Sequence, residues 1–243
     1  MQIPVEGQLG TLRESLEAAR IVAFTGAGIS AESGIPTFRG PGGLWRNFSP
    51  EQLATPQAFA GNPRLVWEWY DWRRQVIHRA QPNPGHLALA ELERRAHGGF
   101  TLVTQNVDGL HDRAGSRNIE KLHGDIWQLR CTVCGAEELN GQVPIAPLPP
   151  RCRCGGLLRP GVVWFGEALP EEVWARAFGA ARSAQVFLVI GTSAVVYPAA
   201  GLIEVARQAG ARVAIVNPDP TPADELADWV LRGPAGEILP RLL

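Results

Sequence analysis

The chain has 243 residues, enough for one large α/β domain, or a large domain with a small insert, to bury a proper core. Hydrophobic residues make up 45% and charged ones 19%, an ordinary globular balance, and a formal net charge of -1 exerts no global pull toward nucleic acid. No apolar run approaches the roughly 20 residues of a membrane span, and the opening MQIPVEGQLG lacks the basic, apolar and small-residue succession of a secretory signal. A cytoplasmic protein with no membrane and no nucleic-acid partner is expected; the oligomeric state is not legible. Of the 23 basic residues only Lys121 is a lysine, which reads as genome composition or thermal adaptation rather than a binding signal.

An amphipathic helix is predicted over about Leu9 to Ala19. IVAFT, residues 21–25, is short, apolar and followed by glycine, and reads as a buried strand. The loop after it, GAGISA, fits G-x-G-x-x-A. Its glycines permit close backbone approach to a pyrophosphate, and the following helix start offers free N–H groups and a partial positive charge. Alone the match is weak, because glycine turns between strand and helix are common. A dehydrogenase would carry an acidic residue about 20 positions on, at the end of a second strand. Here that region is FRGPGGLWRNF, a loop, which weakens an oxidoreductase reading and implies a variant way of binding the cofactor. The glycine loop itself carries Glu32, Ser33, Pro36, Phe38 and Arg39, much chemistry for a turn.

Residues 40–80 read as helical and hold four of the eight tryptophans, Trp45, Trp67, Trp69 and Trp72. Within them NPRLVWEWYDWRRQVIHRA starts at a cap-and-proline pair, Asn62-Pro63. Its apolar stripe runs Val66, Trp69, Tyr70, Ile77, and Arg73 falls on the same face where a core residue is expected. A guanidinium pointed inward needs an anion. That anion is either a ligand or a protein carboxylate, unless the head reaches water past its aliphatic stem.

Further along, PGHLALAELERRA and LPEEVWARAFGAARS have helical patterns with proline at the first turn, and PAAGLIEVARQAG ends on the glycine expected after a helix. Between them FTLVTQN (100–106), QVFLVIGTS (185–193) and ARVAIVN (211–217) read as strands, with NIEKLHG (118–124) and ADWVLRG (227–233) weaker. The alternation predicts an α/β fold, a Rossmann-like parallel sheet with helices on both faces, plus a small domain made of a helical insert and a zinc-binding ribbon. The expected boundaries are 1–39, 81–128 and 159–243 for the large domain, and 40–80 with 129–158 for the small one. GAGIS, TQNVD, LHGD, GTS and NPD all sit at or just after strand ends, where such sheets bind ligands. Gln105, Asn106 and Asp108 are polar groups on that edge, and a neutral His123 placed there can act as general base. The other four histidines lie on predicted helices or helix starts and read as structural.

The four cysteines form two pairs, Cys131 with Cys134 and Cys152 with Cys154, separated by a loop of 17 residues. Four thiolates suit tetrahedral zinc in a fully occupied, structural shell. An iron–sulfur site or a redox pair is the alternative. The second pair has a single-residue spacer, which is tight for one metal.

Together GAGISAESGIPTFRG, TQNVDGLHDRAG, LHGD, the paired cysteines, GVVWFGE, GTS and VNPD resemble, in this order, the motifs of the sirtuin family, the NAD-dependent protein lysine deacylases. The resemblance covers nearly the whole chain. It implies that NAD is consumed, yielding nicotinamide, free lysine and O-acyl-ADP-ribose, with acylated-lysine proteins or peptides as partners. It implies that His123 and Asn106 are catalytic, His123 taking a proton from the ribose hydroxyls. Asn106 and Ser30 are implied to hold the ribose, and Asp108 with the Ile29 backbone the carboxamide. Phe38 is implied to shield the reactive ribose carbon, with Arg39 near phosphate or ribose. Gly26, Ala27, Gly28, Glu32, Trp45, Gln105 and Ala235 join the implied cofactor site. Gly191, Thr192 and Ser193, with Asn217, Pro218 and Asp219, are implied to line the phosphates and adenosine. One structural zinc is implied on Cys131, Cys134, Cys152 and Cys154, although the family spaces its second pair C-x-x-C. Tyr-x-x-Arg, here Tyr70 and Arg73, resembles the class that removes succinyl and malonyl groups, gripping the acyl carboxylate. Val163, Trp164, Phe165 and Gly166 resemble the segment that pairs with the substrate backbone by strand addition; on the residues alone it is equally an ordinary strand. An NAD-dependent protein ADP-ribosyltransferase is the alternative activity, and a zinc-ribbon module contacting nucleic acid is argued against by the near-neutral charge.

Overall fold

The computed structural model describes residues 5–37 and 50–243. Phe38, Arg39 and Trp45 lie outside the described residues. Helix α1 (Val5–Leu16) begins earlier than expected and stops where Ala18 takes a positive φ of 55°. Strand β1 (Ile21–Thr25) follows, then a 3-10 helix over Ala27–Ser33. The helical segment comprises α2 (Pro50–Leu53), α3 (Pro56–Gly61) and α4 (Pro63–Arg79), the last capped by the Asn62 side chain, which accepts from the Leu65 N–H at 3.0 Å. Next come α5 (Pro84–Arg95), β2 (Phe100–Thr104), α6 (Leu110–Ala114) and β3 (Ile119–Lys121). Strands β4 (Gly124–Cys131), β5 (Glu137–Leu139) and β6 (Leu158–Val162) build the ribbon. The chain closes with α7 (Glu171–Ser183), β7 (Val186–Ile190), α8 (Gly201–Gln208), β8 (Arg212–Val216), β9 (Trp229–Leu231) and α9 (Ala235–Ile238).

Six strands form one parallel sheet in the order β3-β2-β1-β7-β8-β9. The chain winds outward from β1 to β3, then crosses back to β7 on the other side of β1. That reversal opens a crevice at the carboxyl ends of β1 and β7. The strands read as apolar runs because both faces are buried. Ile21 and Ala23 point into one core with Leu9, Leu12, Leu89 and Ile238. Val22 and Phe24 point into the other with Ala177, Ala181, Leu202 and Ile203. Among the described residues no helix is long and apolar enough to cross a membrane.

The second sheet, β5-β4-β6, is antiparallel. It does not pack alone: Phe59, Val66, Trp67 and Tyr70 of α3 and α4 share a third core with Ile126, Leu129, Leu158 and Trp164. Trp67 donates its indole N–H to the Leu158 carbonyl at 2.7 Å. Fully buried Arg74 donates to the carbonyls of Ile126, Asn140 and Gln142, tying α4 to the ribbon.

Candidate active site

The glycine loop is shaped first by packing. The Gly26 N–H donates to the Ile190 carbonyl at 3.1 Å and the Gly28 N–H to the Gly191 carbonyl at 2.7 Å. A Cβ on Gly28 would sit 2.7 Å from that same carbonyl oxygen, and one on Gly26 2.7 Å from the Thr192 Cβ. These glycines therefore let the β1 and β7 loops close on each other, a packing role separate from close approach to a pyrophosphate. The helix that follows is 3-10, not α, with Ile29 and Ser30 buried in it.

Ser30 lies at the centre of a buried polar network. Its hydroxyl donates to Asp108 Oδ2 at 2.8 Å and accepts from Asn106 Nδ2 at 3.2 Å. His86 Nε2 stands 3.4 Å from the same oxygen. His86 Nδ1 accepts from the Asn83 backbone N–H at 3.4 Å, so the ring proton resides on Nε2 and points at Ser30. Asn83 also donates its side-chain amide to the Ile29 carbonyl at 2.7 Å. Burial pushes the Asp108 carboxyl up from its ordinary value, against the bonds from Leu110 N–H and Ser30. Burial holds His86 down at about 4. His111, its ring centroid 4.8 Å from that of His86, is held well below its ordinary value by burial, then by His86. Both rings lie on helices, as expected, and are structural groups that support the site from below, His86 against Ser30 and His111 with Nε2 3.0 Å from Thr25 Oγ1. His97 lies in the turn after α5, not on a helix.

His123 occupies the turn between β3 and β4, part-buried, with Nδ1 3.0 Å from the Gln105 carbonyl oxygen. Gln105 donates its side-chain amide to Thr192 Oγ1 at 3.0 Å, joining the β2 and β7 tips. Burial lowers the His123 pKa from its ordinary value, against the raising effect of the Gln105 carbonyl. Two residues earlier Lys121 is held between Asp112 Oδ1 at 2.8 Å and Asp125 Oδ2 at 2.7 Å. Gly26 to Ser30, Gln105, Asn106, Asp108, His123, Gly191 and Thr192 thus meet at the crevice. Ser193 is exposed beside them. Asn217 closes the tip of β8 by donating to the Asp219 carbonyl at 2.8 Å, across Pro218. Glu32 accepts from the Gly236 N–H at 2.7 Å, beside Ala235 at the start of α9, so this carboxylate anchors a helix within the protein.

On the substrate side, Tyr70 and Arg73 are both buried on one face of α4. The Arg73 guanidinium lies 4.8 Å from the Trp69 ring centroid and 5.5 Å from that of Tyr70. Burial lowers its pKa, with Tyr70 and Asp108 acting to raise it. A small hollow beside it is lined by Ile35, Pro36, Trp72, Arg73, Val76 and Ile77. The segment after β6 differs from a free pairing edge. The N–H groups of Val163, Trp164 and Phe165 are taken by the His123 carbonyl, Glu167 Oε2 and the Ala54 carbonyl. The Trp164 side chain is buried, so it does not line an open groove; Phe165 and Gly166 are exposed.

The four cysteine sulfurs lie within 4.8 Å of one another, with Cys131 Sγ to Cys154 Sγ 3.4 Å and Cys134 Sγ to Cys152 Sγ 3.8 Å. A tetrahedral zinc with Zn–S near 2.3 Å separates its sulfurs by about 3.8 Å, so the donor set fits that ion. The tight Cys152/Cys154 spacer is accommodated because Gly155, at φ 88°, folds back to donate its N–H to the Cys152 carbonyl at 2.9 Å.

The sequence profile of the Sir2 family matches residues 26–198. The chain belongs to the Sir2 family. This sirtuin is 58% identical over 224 residues to NAD-dependent protein deacylase 2 of Pyrobaculum aerophilum, across 91% of this chain and 89% of that one. Its structure is similar to that of a Sir2 homologue in complex with NAD (51% identity, TM-score 0.90, 96% of this chain and 91% of the other). It is also similar to Sir2Af2 bound to a myristoylated histone peptide (37% identity, TM-score 0.78, 98% and 95% covered). NAD is the sirtuin co-substrate, and the clustered cysteines are compatible with one structural zinc.

Proposed function

We propose that this sirtuin, an NAD-dependent protein deacylase, removes acidic acyl groups, succinyl and malonyl, from protein lysines in addition to acetyl. The observation that carries the acyl preference is the enclosure of a guanidinium and a phenol on one face of α4, with the charge of Arg73 acting on Asp108 in the floor of the site. A buried guanidinium beside a phenolic donor recognises a carboxylate by charge-assisted hydrogen bonds, which a neutral acyl chain cannot return.

His123 is the general base. A backbone carbonyl only accepts, so the bond to Gln105 places the ring proton on Nδ1 and leaves Nε2 free to take one from a ribose hydroxyl. Asn106 and Ser30 hold the ribose, and Asp108 with the Ile29 backbone the carboxamide. Gly191, Thr192, Ser193 and Asn217 to Asp219 line the phosphates and adenosine. NAD, when bound, supplies an ADP-ribose carbon whose bond to nicotinamide is spent. The Val163–Gly166 segment meets the peptide through backbone groups other than the N–H donors already taken. The peptide-bound state of Sir2Af2 supports an acylated peptide as the partner.

The test is incubation with NAD and succinyl, malonyl and acetyl peptides, both products being followed by mass spectrometry. Loss of the acyl mass with gain of O-acyl-ADP-ribose is expected; ADP-ribose added to the target would indicate transferase activity instead. Arg73→Met should lower catalytic efficiency on succinyl peptide far more than on acetyl, and an equal loss on both removes the acidic-acyl reading.

A further inference from the structure

Tyr70 and Trp164 come from different modules, yet the indole Nε1–H of Trp164 donates to the Tyr70 phenol oxygen at 2.9 Å, with both side chains buried. A phenol oxygen that accepts a bond keeps its single proton for another partner. The indole is itself fixed from both sides. The Arg159 guanidinium carbon lies 3.4 Å over its ring, and the Phe59 ring centroid is 5.4 Å away. Arg159 in turn reaches both oxygens of Glu167, at 2.5 and 2.9 Å, and the Val162 carbonyl at 2.9 Å. Glu167 Oε2 also accepts the Trp164 backbone N–H at 2.8 Å, closing the segment on itself. A phenylalanine in place of Trp164 would keep an aromatic ring in this stack; only the indole supplies the N–H that meets Tyr70.

We propose that Trp164 is a positioning residue for acyl selection: by donating to the phenol oxygen it directs the Tyr70 O–H toward the acyl carboxylate beside Arg73. The Arg159–Glu167 pair sets the indole for that bond. The inference rests on the acidic-acyl reading above and places its discriminating geometry outside α4.

The experiment measures kcat/KM on succinyl and acetyl peptides for the wild type, Arg73→Met, Trp164→Phe, Tyr70→Phe and the Trp164→Phe/Tyr70→Phe double variant, with Tm recorded for each. Trp164→Phe is expected to lower the succinyl-to-acetyl ratio about five- to tenfold, the scale of one hydrogen bond to a charged-ligand donor, mainly through KM. In the Tyr70→Phe background the same change should shift the ratio less than twofold, because the phenol through which it acts is gone. An unchanged ratio in Trp164→Phe, or a full effect persisting without the Tyr70 hydroxyl, overturns the inference. If Trp164→Phe does not fold, Glu167→Gln carries the test: the ratio should fall in the same direction, and an unmoved ratio rejects the assignment. If instead Arg73→Met leaves the ratio unmoved, the acidic-acyl reading itself fails; a selective Arg73→Met with an indifferent Trp164→Phe rejects only the positioning role.

Discussion

The Nδ1 atom of His123 lies 3.0 Å from the carbonyl oxygen of Gln105, and that one contact fixes which ring nitrogen is basic. His123→Ala should lower turnover by about 10²- to 10⁴-fold, the usual weight of a general base, with Tm little changed. Steady-state kinetics with a thermal melt checks it, and a variant that keeps most of the activity removes His123 from the role.

The burial of the same ring, which outweighs the raising effect of the Gln105 carbonyl, predicts the acid limb of the pH profile. Burial lowers the pKa of His123, so the neutral, proton-accepting form persists below the ordinary histidine value of 6.5. Activity is full above the lowered pKa and is lost as pH falls through it. The midpoint of that limb in kcat/KM should lie below 6.5, and one above it would contradict the burial argument.

Stability should follow a second pair of rings. His86 titrates at about 4 in the folded chain against 6.5 unfolded, so between these values the unfolded chain binds more protons. The neutral ring's contribution is therefore complete above about 6.5 and is lost progressively toward 4, amounting to about 3 kcal/mol for His86 alone. His111 is shifted in the same direction. Denaturant titrations from pH 7 to 4 should show this decline, and His86→Gln should flatten it.

The contact between Gly28 and Gly191 makes a sharper structural prediction. Gly28→Ala places a methyl 2.7 Å from the Gly191 oxygen and 2.8 Å from its Cα, both backbone atoms that cannot swing aside. The loops must separate, at a cost of about 1–3 kcal/mol, and the affinity for NAD should fall. Calorimetric binding of NAD together with Tm reports both, and wild-type values for each would show that the loops close without the glycine.

For the cysteines, elemental analysis should find one zinc per chain. Removal by a chelator, or Cys134→Ser, should loosen the ribbon and lower Tm through the core it shares with α4. Less than half a zinc per chain, with no effect of chelation, would reject the assignment.

Much of this was legible because it depends on local pattern. Apolar runs such as Ile21–Thr25 and Val186–Ile190, short, rich in β-branched residues and followed by glycine, read as strands buried on two faces, and their polar tips then fall on one edge. The cysteine pairs carry their chemistry in composition alone. What stayed hidden comes from meetings between distant segments. Arg159, Glu167 and Arg74 look like surface charge in the sequence, and only the tertiary arrangement encloses them against Trp164, Trp127 and backbone carbonyls. Asn83 and His86 read as a helix start, and the capping box they form is real. That the same two side chains also reach Ser30 and the Ile29 carbonyl carries no local signal, because it depends on α5 folding against the glycine loop. The 3-10 form after β1 was likewise invisible, because its periodicity differs little from α over seven residues.

An enzyme whose targets are modified amines has, in Lys121, a single ε-amine of its own. Burial works against that ammonium, yet the bonds from Asp112 and Asp125 raise its pKa and keep it protonated, without a lone pair to attack an acyl donor. Lys121 should therefore be a poor acyl acceptor, and mass spectrometry of the protein after exposure to a reactive acyl donor should find that position unlabelled.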